Sequence, residues 1–137
     1  WKRLLDETFA INLLAGAAIT AKGKGKKKLT DGNYATHFTT KRGDTSVVIE
    51  FTLKQTALFD LLCLQENIRE GQRVEQFSVE YMHNNEWKKL VTGTTVGYKR
   101  IIRFAPVQAS RLRIIIESSR RNPVLGEVGL FKQAGSL

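Results

Sequence analysis

Internal disulfide bonding is closed to this sequence, because its single cysteine, Cys63, has no partner within the chain. Set in the apolar run LFDLLCLQ, Cys63 reads as a small buried hydrophobe, and the redox compartment stays open. Proline is nearly as scarce. Only Pro106 and Pro123 occur, both just before runs that read as strands, where a missing N–H is tolerated. The two histidines, His37 and His83, lie far apart and lack a companion Cys or His at metal spacing, which argues against zinc. No Gly-rich phosphate loop leads into a helix, and no G-x-S-x-G elbow is present. No stretch approaches the ~18 apolar residues needed to span a bilayer, and no signal peptide is visible. A chain that starts at Trp1 rather than Met reads as a mature or excised piece.

Negative charge is the scarcer sign. Against 22 Lys+Arg stand 13 Asp+Glu, for a net charge of +9, which permits an anionic partner. Much of the excess is local: Lys22, Lys24, Lys26, Lys27 and Lys28 share the run 22–28 with two glycines, and Lys41 and Arg42 follow. A basic, Gly-punctuated run reads first as a solvated loop. Nucleic-acid binders interleave aromatic side chains with such a patch. None occurs within this run, so no specific nucleic-acid partner is expected.

What the chain does contain is a single domain's worth of ordinary globular sequence. At 137 residues, 42% hydrophobic and 26% charged, it can bury roughly two-thirds of its unfolded surface. In WKRLLDETF, Trp1, Leu4, Leu5 and Phe9 fall on one helical face. That helix is too short to be stable alone, so residues 1–12 are expected to be a connector helix that docks on a preceding domain. Residues 13–137 then form the domain proper. A short strand is expected over 17–21. Period-two alternation follows over 47–53, where Val47, Ile49, Phe51 and Leu53 point one way. Residues 57–65 are apolar on both faces, as in a central strand. Further strands are expected over 75–82, 87–91, 98–104, 111–117 and 124–131, with a turn at His83, Asn84 and Asn85. Seven or eight strands joined by short turns, with no helical pattern after residue 10, predict an all-β fold, an antiparallel β-sandwich with a short N-terminal helix.

Chemistry-bearing residues are few. Glu50, Glu80 and Glu117 fall on outward strand positions and read as solvating rather than catalytic. The stretch 28–38, KLTDGNYATHF, is the most suggestive. Asp31 and Thr36 offer side-chain oxygens, and the Asp31-Gly32 turn exposes main-chain carbonyls. Calcium takes ~6–8 such oxygens, many of them carbonyls. No EF-hand spacing is present, so a calcium loop here would borrow ligands from elsewhere, and Glu127 in GEVGLF is the obvious lender. The alternative is that Asp31-Gly32 is a plain surface turn. By residues alone, the chain reads as a binding or structural module.

The Asp31-Gly32-Asn33 loop, Thr36, the strand order and the terminal Glu127-Val128-Gly129-Leu130 resemble the discoidin family. This is the coagulation factor 5/8 type C, galactose-binding-like jelly roll, which includes many carbohydrate-binding modules. The series LQENIREGQRVEQFSVEY, WKKLVTGTTVGYKRIIRF and SSRRNPVLGEVGLF is similar, more narrowly, to the C-terminal domain of bacterial family 29 glycoside hydrolases, the α-L-fucosidases. WKRLLDETFAINLLAGA resembles the junction where that family's catalytic barrel ends and its sandwich begins.

The resemblance implies a non-catalytic accessory or carbohydrate-binding domain whose partners are the parent enzyme's catalytic domain and a glycan. The parent chain would be the fucosidase, in a periplasmic or secreted setting. It also implies a structural calcium held by Lys28, Asp31, Asn33, Thr36, Gly126 and Glu127. Arg69, Arg73, Tyr98 and Arg100 are the loop or strand-end residues best suited to meet a sugar or the catalytic domain. Arginine forks match hydroxyls and carboxylates, and tyrosine offers an apolar face with a polar tip. Two other readings stand beside this one: an autonomous carbohydrate-binding module, and an electrostatic binder of anionic polymer or lipid through residues 22–28.

Overall fold

The structure, a computed structural model, describes residues 12–30, 37–66, 73–96 and 99–132. The connector helix expected over 1–12 lies outside the described residues, apart from Asn12. The one helical segment among them is a 3-10 turn, Lys26–Thr30, which buries Leu29. Everything else regular is strand: β1 Ala18–Thr20, β2 Phe38–Thr39, β3 Val47–Glu66, β4 Val74–His83, β5 Glu86–Gly93, β6 Arg100–Ser119 and β7 Val124–Phe131. All pairings are antiparallel. The strands run β2-β7-β3-β6-β4-β5, with β1 added on β3.

Two expected pairs of strands turn out to be two long strands. Residues 47–53 and 57–65 are both part of β3, and the strands expected over 98–104 and 111–117 are one strand, β6, which begins at Arg100. Their mutual register breaks twice, between Thr52 and Ala57 and between Phe59 and Leu61. Bulges of this kind bend a strand and raise its local twist. Each long strand therefore changes neighbours along its length. Residues 50–52 of β3 lie between β1 and the far half of β6, whereas residues 61–64 lie between β7 and the near half of β6. Pro106 sits inside β6 and not ahead of a strand. It falls where the register jumps from Val107 to Arg103, so its missing N–H removes no ladder bond.

The inward side chains of the two halves meet in one core. Ile49, Phe51, Phe77, Leu112 and Ile114 from one half pack with Phe59, Leu62, Leu64, Val128 and Leu130 from the other. Phe38, Phe51, Phe59 and Phe77 are fully buried, each contributing roughly 1.5–3 kcal/mol relative to exposure. Layering of this kind is what a sandwich requires. The β4–β5 hairpin closes on Asn84 and Asn85, both at positive φ of 51° and 63°, the pair of left-handed residues that a tight hairpin turn demands.

The edge of β7 is closed by a side chain. β2 covers it only at Leu125 and Val124. Further along, Asn12 Nδ2 donates to the Val128 carbonyl at 3.1 Å and Asn12 Oδ1 accepts the Leu130 N–H at 3.0 Å. The Leu13 N–H adds a bond to the Leu130 carbonyl at 2.8 Å. Main-chain groups that an exposed edge would offer to another chain are thereby satisfied.

Candidate functional site

The lysine run is not merely a solvated loop. Lys24 exchanges two backbone hydrogen bonds with Thr39, at 2.8 and 3.0 Å, and so forms a one-residue antiparallel bridge beside β2. The glycines make this approach feasible. A Cβ at Gly23 would collide with the Thr39 carbonyl and the Phe38 ring, and one at Gly25 with the His37 carbonyl. Both glycines also lie at positive φ. Lys22 and Lys24 are thus brought beside Lys41 and Arg42, with which they line a hollow of about 760 Å³ whose single acid among the described residues is Asp44.

Next to it, the ends of β3, β4 and β6 are tied together. Buried Glu66, at the end of β3, accepts the backbone N–H groups of Arg73 and Val74 at 2.8 and 2.9 Å. The Arg73 carbonyl accepts from Ser119 Oγ and from the Arg120 N–H. The Arg73 guanidinium reaches the Asn122 carbonyl at 2.8 Å. Asn122 Nδ2 in turn donates to Thr39 Oγ1 at 2.8 Å and to the Thr40 carbonyl at 3.3 Å. These bonds fix the 120–122 turn against β2 and the loop that follows it.

The frame surrounds a cleft of about 840 Å³. Arg42 enters from the loop after β2, Arg73 from just before β4, and Arg120, Arg121 and Asn122 from the turn before β7, with His37 just ahead of β2. Among the described residues its lining holds neither Asp nor Glu, and no aromatic ring other than the imidazole. Such a surface donates hydrogen bonds and positive charge. It offers no pair of carboxylates of the kind glycoside hydrolysis uses.

The sugar-facing candidates fare differently from one another. Arg73 lines the cleft, though one end of its guanidinium is committed to Asn122. Arg100 donates to the Thr95 carbonyl at 2.9 Å and pins the connection between β5 and β6. Arg69 and Tyr98 lie outside the described residues. Arg42 stands in the sequence only as part of the basic excess, and Arg120 and Arg121 are not singled out there. The only signal for the last two was a dibasic pair before Asn122-Pro123, at an evident turn.

Of the expected calcium ligands, Asp31, Asn33 and Thr36 lie outside the described residues. Lys28 belongs to the 3-10 turn, which packs against β7, the strand that carries Gly126 and Glu127. Among the described residues, no three His, Cys, Asp or Glu side chains gather to hold a metal ion. Glu127 stands across from Gln65 on the side of the sheet away from the main core, as does Cys63. Burial pushes the Cys63 thiol up; Lys99 opposes that and Glu127 adds to it. Elsewhere, on the outer face of β4, β5 and β6, Arg111 and Arg113 stack over Trp87, with ring distances of 5.1 and 4.3 Å. Each is also bonded to a carboxylate, Glu50 and Glu80.

Comparison with known proteins agrees with this architecture. The model of the F5/8 type C domain matches residues 15–127. A rice protein (Oryza sativa subsp. japonica) assigned as α-L-fucosidase 1 is 31% identical over 98% of this chain and 27% of its own. A crystal structure of a Bacteroides thetaiotaomicron protein assigned as an α-L-fucosidase superposes with a TM-score of 0.94 at 34% identity, over 99% of this chain and 32% of that one. A chitosan-binding module from a Paenibacillus chitosanase/glucanase shares the fold, with a TM-score of 0.77 at 18% identity over 88% of this chain and 97% of the module. The chain thus spans about a quarter to a third of these two fucosidases, and nearly the whole of the module.

Proposed function

We propose that this chain, which belongs to the F5/8 type C domain family, is a non-catalytic accessory domain of a family 29 α-L-fucosidase. In this reading it is a discoidin-like jelly-roll sandwich that packs on the catalytic domain of its parent enzyme and presents its loop end to glycan. The observation that carries the reading is one of proportion. The likeness takes in nearly all of this chain but only about a third of the Bacteroides fucosidase. The chemistry at the cleft agrees, since its described walls hold basic groups and no paired carboxylates.

The same reading includes a structural calcium. Lys28, Asp31, Asn33, Thr36, Gly126 and Glu127 would hold it, joining the first loop to the last strand. Support comes from the contact between the turn ending at Thr30 and β7, and from the chemistry of a donor set with two carboxylates and several carbonyls. Calcium would supply charge neutralisation there and no part of any reaction. A periplasmic or secreted location belongs to this proposal too. No helix among the described residues is long and apolar enough to cross a membrane.

The test is the reading frame upstream of the Trp1 codon. A (β/α)₈ barrel of about 250 residues or more, with two carboxylates at the ends of its strands, is expected there. A frame that joins this chain to an unrelated domain instead would overturn the proposal. A second reading, direct carbohydrate binding, is favoured by the cleft itself, whose volume falls in the range of sugar-sized ligand sites.

A further inference from the structure

We propose that the cleft between Arg42 and the Arg120-Arg121 turn binds the acidic substituent of a glycan, a sulfate ester or a carboxylate. The inference rests on the glycan-binding reading and narrows it to a chemical class.

Three observations lead to it. First, two arginines of β6 are neutralised: Arg111 bonds to Glu50 and Arg113 to Glu80. In contrast, Arg42, Arg120 and Arg121 are exposed, and among the described residues none of the three has a carboxylate partner. Three uncompensated guanidinium groups around one hollow repel one another, a cost that a bound anion would relieve. Second, the loops that carry these groups are held in place. Asn122 is bonded to Arg73, Thr39 and Thr40, and Thr40 Oγ1 is bonded to the Asp44 carbonyl at 2.8 Å, so both loops that carry the arginines are tied to β2. Third, the described lining is the wrong one for a neutral sugar. Neutral sugar hydroxyls need acceptors as well as donors, and a ring face needs an aromatic platform. The side-chain oxygens of this lining are limited to those of Thr39, Thr45 and Asn122, and it has no carboxylate and no Phe, Tyr or Trp.

Guanidinium forks match the oxygens of sulfate and carboxylate in a bidentate way, and the resulting bonds are charge-assisted. The neighbouring hollow shares Arg42 and adds Lys22, Lys24 and Lys41. Positive potential therefore continues past the cleft, as a run of acidic residues along an oligosaccharide would require. A nucleic-acid strand would meet the charge but find, among the described residues, no Phe, Tyr or Trp ring in the cleft to stack on.

Calorimetric titration of the full chain tests this with four probes: a sulfated carrageenan tetrasaccharide, its desulfated counterpart, an oligogalacturonate of equal length and a short oligothymidylate. One or both acidic sugars should bind, roughly tenfold or more tighter than the desulfated one, and which one binds identifies the anion. The Arg120→Ala/Arg121→Ala double variant should lose roughly tenfold or more in affinity, and Arg42→Ala should lose a comparable factor. Lys22→Ala/Lys24→Ala should cost less. Circular dichroism confirms folding of each variant. Equal binding of charged and desulfated sugar would overturn the anionic inference while leaving glycan binding in place. Binding that the arginine variants do not move would overturn the site. If the oligothymidylate binds and no sugar does, both the inference and the glycan reading fall.

Discussion

Glu66 Oε1 accepts the backbone N–H of Val74 at 2.9 Å, eight residues along the chain. The same oxygen accepts the N–H of Arg73, so one buried carboxylate closes the connection between β3 and β4 and sets the wall of the cleft. Glu66→Ala should strip two N–H groups of their acceptor and cost on the order of 2–4 kcal/mol, because bonds to charged groups are among the stronger ones. Glu66→Gln keeps a carbonyl in place and should lose clearly less. Urea unfolding of the two variants checks this. An alanine variant as stable as the parent would show that the bond contributes nothing.

Cys63 should make stability depend on pH at the alkaline end. Burial holds the folded thiol above its ordinary value of 9.0, with Lys99 opposing and Glu127 adding. The unfolded thiol therefore ionises first. Stability from this group is full below about pH 9 and falls as pH rises from there toward the folded pKa. In Cys63→Ala that slope should vanish. Urea midpoints for parent and variant, compared between about pH 7 and about pH 10.5, give the difference. Parallel curves over that window would mean the thiol titrates alike in both states.

Calcium should raise the melting temperature of chelator-treated protein. Binding to the folded state alone adds RT ln(1 + [L]/Kd), about 2.7 kcal/mol at a hundredfold excess over Kd, or roughly 5–10 °C for a domain of this size. Asp31→Asn and Glu127→Gln should each shrink the gain. The rival account, a surface turn plus a separate glutamate, expects no shift with verified metal-free protein and no dependence on either carboxylate.

The strands were legible where alternation is local. Val47, Ile49, Phe51 and Leu53 place their strand by period alone, and their burial follows it. That 47–53 and 57–65 are one strand was not legible. Residues 54–56 are Lys, Gln and Thr, exposed in the structure, and such a polar gap reads as a turn until the opposing strand shows a bulge. Pro106 misled for the same reason. By charge alone the lysine run reads as a solvated loop, whereas its glycines serve a close approach of Lys24 to Thr39. The cleft was the least visible feature. Arg42 and the Arg120-Arg121 pair are nearly eighty residues apart, and they meet only because β2 pairs with β7. Antiparallel order of this kind is set by the whole core, so no local pattern announces it.

Hydrolysis of an aryl α-L-fucoside by the purified chain is the most direct measurement of whether the domain is an accessory one. The described residues of the cleft hold no carboxylate pair to protonate a leaving group and attack the sugar. The expected result is no release of the aryl group above the buffer blank, even at high protein concentration. Turnover that persists through repeated purification, and that disappears when the chain is unfolded, would contradict the account.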